Sequence, residues 1–179
     1  MNDIENLPSL KSLEFTPYLD DKGEISEVYK KKIGVYAIFN EDKILQMVGY
    51  SRDIYLSLKQ HLVRKIDQCS WIKIETIERP SRTILENIKK LWLEENGVIP
   101  VGNDQEEDEW NKPIDAKPFM SEEEKEDYHK IEEVKQAKFL KNVARRVEAQ
   151  IKEKLVEKGV TMDIRFNPKL KEKGLLDLK

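Results

Sequence analysis

Apolar and polar positions change their spacing several times along this chain, and each change predicts a new element. Residues 33–39 and 43–49 are nearly continuous apolar runs, separated by the polar turn Asn40-Glu41-Asp42. β-Branched and aromatic runs flanking a short turn signal predict a hairpin, and runs this apolar predict strands covered on both faces. From Arg52 the period becomes helical. Ile54, Leu58, Leu62 and Ile66 form one row, Tyr55 and Val63 lie beside it, and Ser51 or Asp53 can cap the start. Residues 71–77 return to partial alternation and predict a third strand. Pro80 ends it. Ser81 can cap a second helix carrying Ile84, Leu85, Ile88, Leu91 and Trp92, and Asn96-Gly97 is a stop signal.

The flanks read differently. Residues 1–32 are a polar lead-in with scattered apolar groups and turn chemistry at Leu19-Asp20-Asp21-Lys22-Gly23. We expect an extended arm that packs some apolar residues on the domain, with a disordered tail as the open alternative on composition. Residues 104–120 hold the acidic run Gln105-Glu106-Glu107-Asp108-Glu109, then Trp110, Pro113 and Pro118 without periodicity, which suits a linker or covering loop. Ser121-Glu122-Glu123-Glu124 has the form of a capping box. It predicts one long helix running to about Lys158 and ended by Gly159, with Leu140, Val143, Ala144, Val147, Ile151 and Leu155 on its apolar face. Residues 160–166 suit a short strand. The expected organisation is an arm (1–32), a core domain (33–103), a linker (104–120) and a helical extension (121–179).

Composition narrows the function classes. Of the 179 residues, 37% are charged and 39% apolar, enough for a core beneath a heavily charged surface. With 32 basic and 35 acidic residues the net charge is −3, which argues against a uniformly basic nucleic-acid coat but leaves room for a local basic face. The single cysteine, Cys69, excludes an internal disulfide, and two histidines are too few for a His-rich metal centre. The amino-terminal stretch lacks the apolar run of a secretory signal, and no window is apolar enough to span a bilayer. The expectation is a soluble cytoplasmic protein.

Two words inside the hairpin carry a further signal: Gly34-Val35-Tyr36 opens the first run and Met47-Val48-Gly49 closes the second. With the strand–strand–helix–strand–helix order of residues 33–96, this resembles the GIY-YIG nuclease domain. The resemblance extends to Pro100-Val101-Gly102-Asn103, similar to that family's Pro-x-x-Asn ending. Together with Trp110, that loop brings the chain closest to the small stand-alone members of cyanobacteria and plastids. The resemblance implies an α/β fold, a small three-stranded antiparallel sheet flanked by helices, to which this chain adds a long C-terminal helix.

The resemblance also assigns roles. It places Tyr36 and His61 among the catalytic positions, Glu86 as metal ligand and Asn103 at the site. Met47 stands where the second tyrosine belongs, and the family's spacing from Gly49 reaches Ser57 where an arginine belongs. An active member cleaves a phosphodiester with one divalent metal, the tyrosine acting near the nucleophile and the arginine neutralising developing charge. A thioether neither accepts a proton nor donates to a phosphate, and a serine brings no charge. Losing one preorganised donor costs on the order of 10²–10³ in rate, and this site has lost two such groups. Arg52 and Lys59 are poorly placed as substitutes on the helix.

The resemblance therefore implies a catalytically degenerate domain used as a binding or assembly module, with no cofactor. A protein partner is favoured over nucleic acid by the acidic net charge and the apolar face of the last helix. The alternative is a Mg²⁺-dependent endonuclease with a rearranged site of Tyr36, His61 and Glu86. Ordinary structural roles stay open for each residue: Tyr36 as core, His61 as sheet cover, Glu86 paired with Lys89 or Lys90, and Asn103 in a turn. The basic segment holding Lys135, Lys138, Arg145 and Arg146 can contact phosphates, or form a solvated face balanced by Glu132, Glu133 and Glu148.

Overall fold

The computed structural model describes residues 7–179, and contacts divide the chain into two compact units, Met1–Asn111 and Lys112–Lys179. The division falls inside the stretch expected as a linker. The first unit holds strands β1 (Thr16–Pro17), β2 (Ile33–Phe39), β3 (Leu45–Ser51) and β4 (Trp71–Ile77). Its helices are α1 (Ile54–Arg64), α2 (Arg82–Asn96) and the short α3 (Glu107–Asn111). The sheet is antiparallel throughout, in the order β1-β4-β2-β3. β2 is therefore paired along both edges, and its unbroken apolar run fits burial of both its faces. The α/β class is as expected, with four strands in place of three. The added strand, β1, is two residues of the amino-terminal arm, and Pro17 fits there because an edge position needs no donated hydrogen bond.

The arm is built into this unit from Leu7 onward; its first six residues lie outside the described residues. Leu10, Tyr18 and Ile25 are buried, and the Tyr18 hydroxyl donates to the Leu58 carbonyl. The Trp92 indole donates to the Pro8 carbonyl at 2.9 Å, and the Lys73 ammonium to the Leu10 carbonyl at 3.0 Å.

Side chains alternate across a strand, so the sheet has two distinct faces. Val35, Ala37, Phe39 and Val48 pack against Leu85, Ile88 and Trp92 of α2. The intervening residues Tyr36, Ile38, Met47 and Gly49 face α1. Asp53 caps α1 by accepting from the Leu56 amide, Ser81 caps α2 through the Ile84 amide, and Gly97 ends α2 at φ 82°. These are the caps and stop that the sequence supports.

The exposed edge of β3 is closed by a 3-10 turn, Val101–Asn103. The Asn103 side chain accepts from the Val48 amide and donates to the Val48 carbonyl, both at 2.8 Å, taking the place of a neighbouring strand. Gly102 makes this approach possible, since a Cβ there would lie 2.7 Å from both the Gln46 carbonyl oxygen and Met47 Cβ. An unprotected strand edge invites pairing with other chains, and this clip blocks it.

The second unit holds helices α4 (Glu122–Lys130) and α5 (Glu133–Lys158) and the two-residue strands β5 (Ile114–Asp115) and β6 (Leu175–Leu176), which pair antiparallel. The capping box at Ser121 and Glu124 forms as its sequence suggests. The single long helix expected from Ser121 is instead two, because Ile131 and Glu132 adopt extended backbone between them. No glycine or proline marks this break. Tertiary contacts hold it: Gln136 donates to the Tyr128 carbonyl at 3.1 Å, and the Tyr128 and Phe139 rings stack across it at 5.9 Å. The apolar face of α5 is buried from Leu140 to Leu155 as the pattern requires, and Gly159 ends the helix at φ 95°. The strand expected over residues 160–166 is reduced to a single bridge, Phe166 to Leu178. Among the described residues no helix is long and apolar enough to cross a membrane.

Candidate functional site

Tyr36 and His61 meet beneath α1. β2 points the Tyr36 ring across the sheet over Gly49, its partner on β3, where a Cβ would stand 2.6 Å from the phenol oxygen. Gly49 is thus required by the ring that lies on it. His61 comes down from α1, and its Nε2 lies 2.8 Å from the Tyr36 hydroxyl. Met47 Cε reaches the same glycine, so a methyl group fills the space where the resemblance calls for a hydroxyl. The Ser57 hydroxyl donates to Ser51 Oγ at 2.7 Å.

This pair is closed to solvent. Tyr36 is 4% exposed, His61 3% and Trp110 of α3 0%, and the Trp110 ring lies 5.6 Å from the His61 ring. Lys65 holds α3 in place through Glu106 at 2.6 Å and Glu109 at 3.0 Å, while Arg64 Nη1 donates to the Trp110 carbonyl at 2.9 Å. Among the described residues Trp110 Nε1 is left buried with no hydrogen-bond partner, while the Trp110 backbone lies close enough to the imidazole to favour its charged form.

The electrostatics follow from burial. Desolvation, and after it the Arg64 charge, hold the His61 imidazole down at about 4. Desolvation pushes the Tyr36 phenol well up, while the Ser57 hydroxyl and Arg64 pull the other way. A weakly basic imidazole beside a weakly acidic phenol is mismatched for proton transfer near neutral pH, where an efficient acid or base titrates close to the working pH.

Glu86, the expected metal ligand, lies on the other side of the sheet. Its carboxylate accepts from Arg82 Nε at 2.9 Å and from the Tyr50 hydroxyl at 3.2 Å. Tyr50 packs on the α2 cluster. The Arg82 guanidinium, then the Tyr50 hydroxyl, hold this carboxyl below its ordinary value. A metal on Glu86 would be separated by the sheet from Tyr36 and His61, and no group of three His, Cys, Asp or Glu side chains gathers among the described residues. The residues that the resemblance assigns to catalysis and to metal thus lie on opposite faces of the sheet and do not meet at one place. Beside Glu86 a groove of about 690 Å³ runs between α2 and the following loop, lined by Tyr50, Lys89, Leu93, Ile99 and Glu107 among others, and Val98 and Ile99 are 72% and 61% exposed.

The remaining candidates are scattered. Asn103 is occupied by the β3 backbone. Lys135, Lys138 and Arg145 lie on the solvent side of α5. Arg146 turns away to Glu124 at 2.8 Å and to the Phe119 carbonyl at 3.1 Å, holding the Glu124 carboxyl down at about 2. Counting along the family's motif misses Arg64. The helical phase does find it: three residues after His61 and seven after Ser57, it shares their face of α1. Trp110 gives no periodic signal, because its helix is only five residues long.

No family model matches the chain. A curated relative, the chloroplastic bifunctional monothiol glutaredoxin-S16 of Arabidopsis thaliana, is 38% identical over 74 residues, covering 39% of this chain and 25% of the relative. The chain thus matches about a quarter of that relative's length. Its one cysteine, Cys69, is fully buried, with its thiol 3.7 Å from the His61 carbonyl. Reactive thiols occupy partly exposed, electropositive surroundings, which Cys69 lacks.

Proposed function

We propose that the first unit is a degenerate GIY-YIG-like domain that binds a partner and does not cleave nucleic acid. One observation carries this reading: Tyr36 and His61 are both buried, with the Trp110 ring against His61, while Glu86 lies across the sheet from them. Substrate phosphate has no route to the phenol and imidazole, and no carboxylate joins them. The open groove beside Glu86, with Val98 and Ile99 on view and charges of both signs around it, supports a protein partner.

Arg64 favours a second reading. It restores a positive charge near Tyr36 and His61, so displacement of α3 would uncover a phenol, an imidazole and a guanidinium together. That is a rearranged endonuclease held shut. Incubating the purified protein with supercoiled plasmid and branched DNA in Mg²⁺ or Mn²⁺ separates the two. We expect no cutting by the natural chain or by Trp110→Ala. Metal-dependent cutting by either, abolished by Glu86→Ala or Arg64→Ala, would establish the endonuclease.

The glutaredoxin relative supports a shared segment, and buried Cys69 supports one without thiol chemistry. The relative's chloroplast name supports a plastid-type setting over the cytoplasmic one expected from composition, and cell fractionation distinguishes them.

A further inference from the structure

The second unit carries a row of cations that nothing in the fold employs. Lys135, Lys138, Lys141 and Arg145 recur every three or four residues on α5, opposite its buried face. The row spans about 15 Å at 1.5 Å rise per residue. Between Lys135 and Arg145 no acid lies on that side, whose other residue is the uncharged Asn142; Glu148, three residues after Arg145, borders the end of the row. Among the described residues, none of the four cations makes an ion pair, whereas neighbouring Arg146 and Lys152 do, with Glu124 and Glu148. Glu148, expected from sequence to balance the row, is engaged by Lys152 at 3.3 Å and Lys171 at 2.5 Å. The chain as a whole is acidic, so the row is a local concentration and not a reflection of overall composition.

We propose that this row binds the phosphodiester backbone of a nucleic acid, without reading its sequence. The alternatives fit less well. A membrane-surface helix needs an apolar face free to enter the lipid, and the apolar face of α5 is committed to its own unit. A protein interface draws its energy from aromatic or arginine anchors seated in pockets, and this row has no aromatic residue. Phosphate backbones need only cations at regular intervals, with counterion release supplying the affinity. The buried face of α5 fixes the helix, so the four side chains start from a common line. The proposal rests on the second unit alone, independent of the reading of the first.

The test is fluorescence anisotropy of the full chain with labelled duplex DNA, single-stranded DNA and RNA of equal length, titrated across salt. The natural chain should bind at about 50 mM salt and weaken steeply as salt rises. The comparison of the three probes shows which backbone is preferred. The variant Lys135→Gln, Lys138→Gln, Lys141→Gln and Arg145→Gln should bind at least tenfold more weakly. Its slope of log affinity against log salt should be smaller by about 3. Glutamine keeps helix propensity at these surface positions, and circular dichroism checks the fold. Arg146→Gln should leave the slope unchanged. Absence of binding to all three probes at low salt would overturn the proposal. So would an unchanged slope in the fourfold variant, or binding confined to anionic vesicles or polyglutamate.

Discussion

Two tyrosines of paired strands, Tyr36 and Tyr50, stand on opposite faces of the same sheet. Tyr36 lies buried under α1, beside His61, Ser57 and the Arg64 charge. Tyr50 lies beside α2 at the rim of an open groove, and its hydroxyl reaches the Glu86 carboxylate. The α1 face holds the residues that the family pattern marks as catalytic, and the α2 face, itself packed, carries at the rim of its groove residues that the pattern either passes over or assigns to metal. A tyrosine and a histidine are reagents only where substrate and water can reach them. Once desolvated, the same groups become packing elements with pKa values displaced away from neutrality. The glycines agree with this reading, since Gly49 and Gly102 are explained by what they lie against.

If the α1 face is core, breaking its cover should be costly. Trp110→Ala removes a fully buried indole, and Trp→Ala in a core costs about 3–5 kcal/mol. The unpartnered indole nitrogen favours the lower end of that range. Urea unfolding followed by tryptophan fluorescence reads this directly, because Trp71, Trp92 and Trp110 all belong to the first unit. A loss under about 1 kcal/mol would mean that α3 is a loose cover, and would revive the rearranged endonuclease.

The next effect is pH dependence. His61 titrates at about 4 in the fold and near 6.5 when unfolded. Between those values the unfolded chain binds the extra proton, so stability is full above pH 6.5, declines as pH falls, and levels off below about 4. The difference corresponds to about 3 kcal/mol. Glu124 titrates in a lower window, because its depressed carboxyl contributes stability that is lost only as pH falls from about 4.5 towards 2. Urea midpoints at pH 7, 5.5 and 4 should fall for the natural chain and stay flatter for His61→Gln. NMR titration of the His61 ring checks the same value without a mutation.

The edge clip is worth less. Gly102→Ala forces a Cβ against backbone and should cost about 1–3 kcal/mol, in the range of overpacked sites. Asn103→Ala removes two hydrogen bonds to Val48 and should cost about 1–2 kcal/mol. Losing the clip also bares the β3 edge, so light scattering of Asn103→Ala should show more self-association than the natural chain.

What the sequence revealed and what it hid divide along the same physical line. Three strands and two helices declared themselves because period, caps and stop signals agreed locally, although the second strand, expected over 43–49, runs over 45–51. Thr16–Pro17 gave no strand signal, since two residues show no alternation and their partners, Ile72 and Trp71, lie far along the chain. The break at Ile131 was invisible because tertiary contacts, and no local breaker, impose it. The candidate site was legible as residue types but not as a place. The resemblance brought Tyr36 and His61 to one spot, yet said nothing of which face Glu86 would take or that Trp110 would pack against His61.

The smallest expected effect is also the sharpest check on the open face. Glu86 pairs with Arg82 at i, i+4 on an exposed helix surface, with the two side chains 50% and 83% exposed. Such exposed pairs are screened by solvent and contribute little. Glu86→Ala should therefore change the urea midpoint only slightly, the loss of the pair being partly offset by alanine's better helix propensity. Tyr50→Phe, which removes the hydroxyl and keeps the ring on the α2 cluster, should likewise stay within about 0.5 kcal/mol. With the fold kept, any loss of partner binding in either variant reports the groove itself. A stability loss above about 2 kcal/mol would instead make the Tyr50–Glu86–Arg82 set part of the scaffold, and the two faces of the sheet would no longer differ in kind.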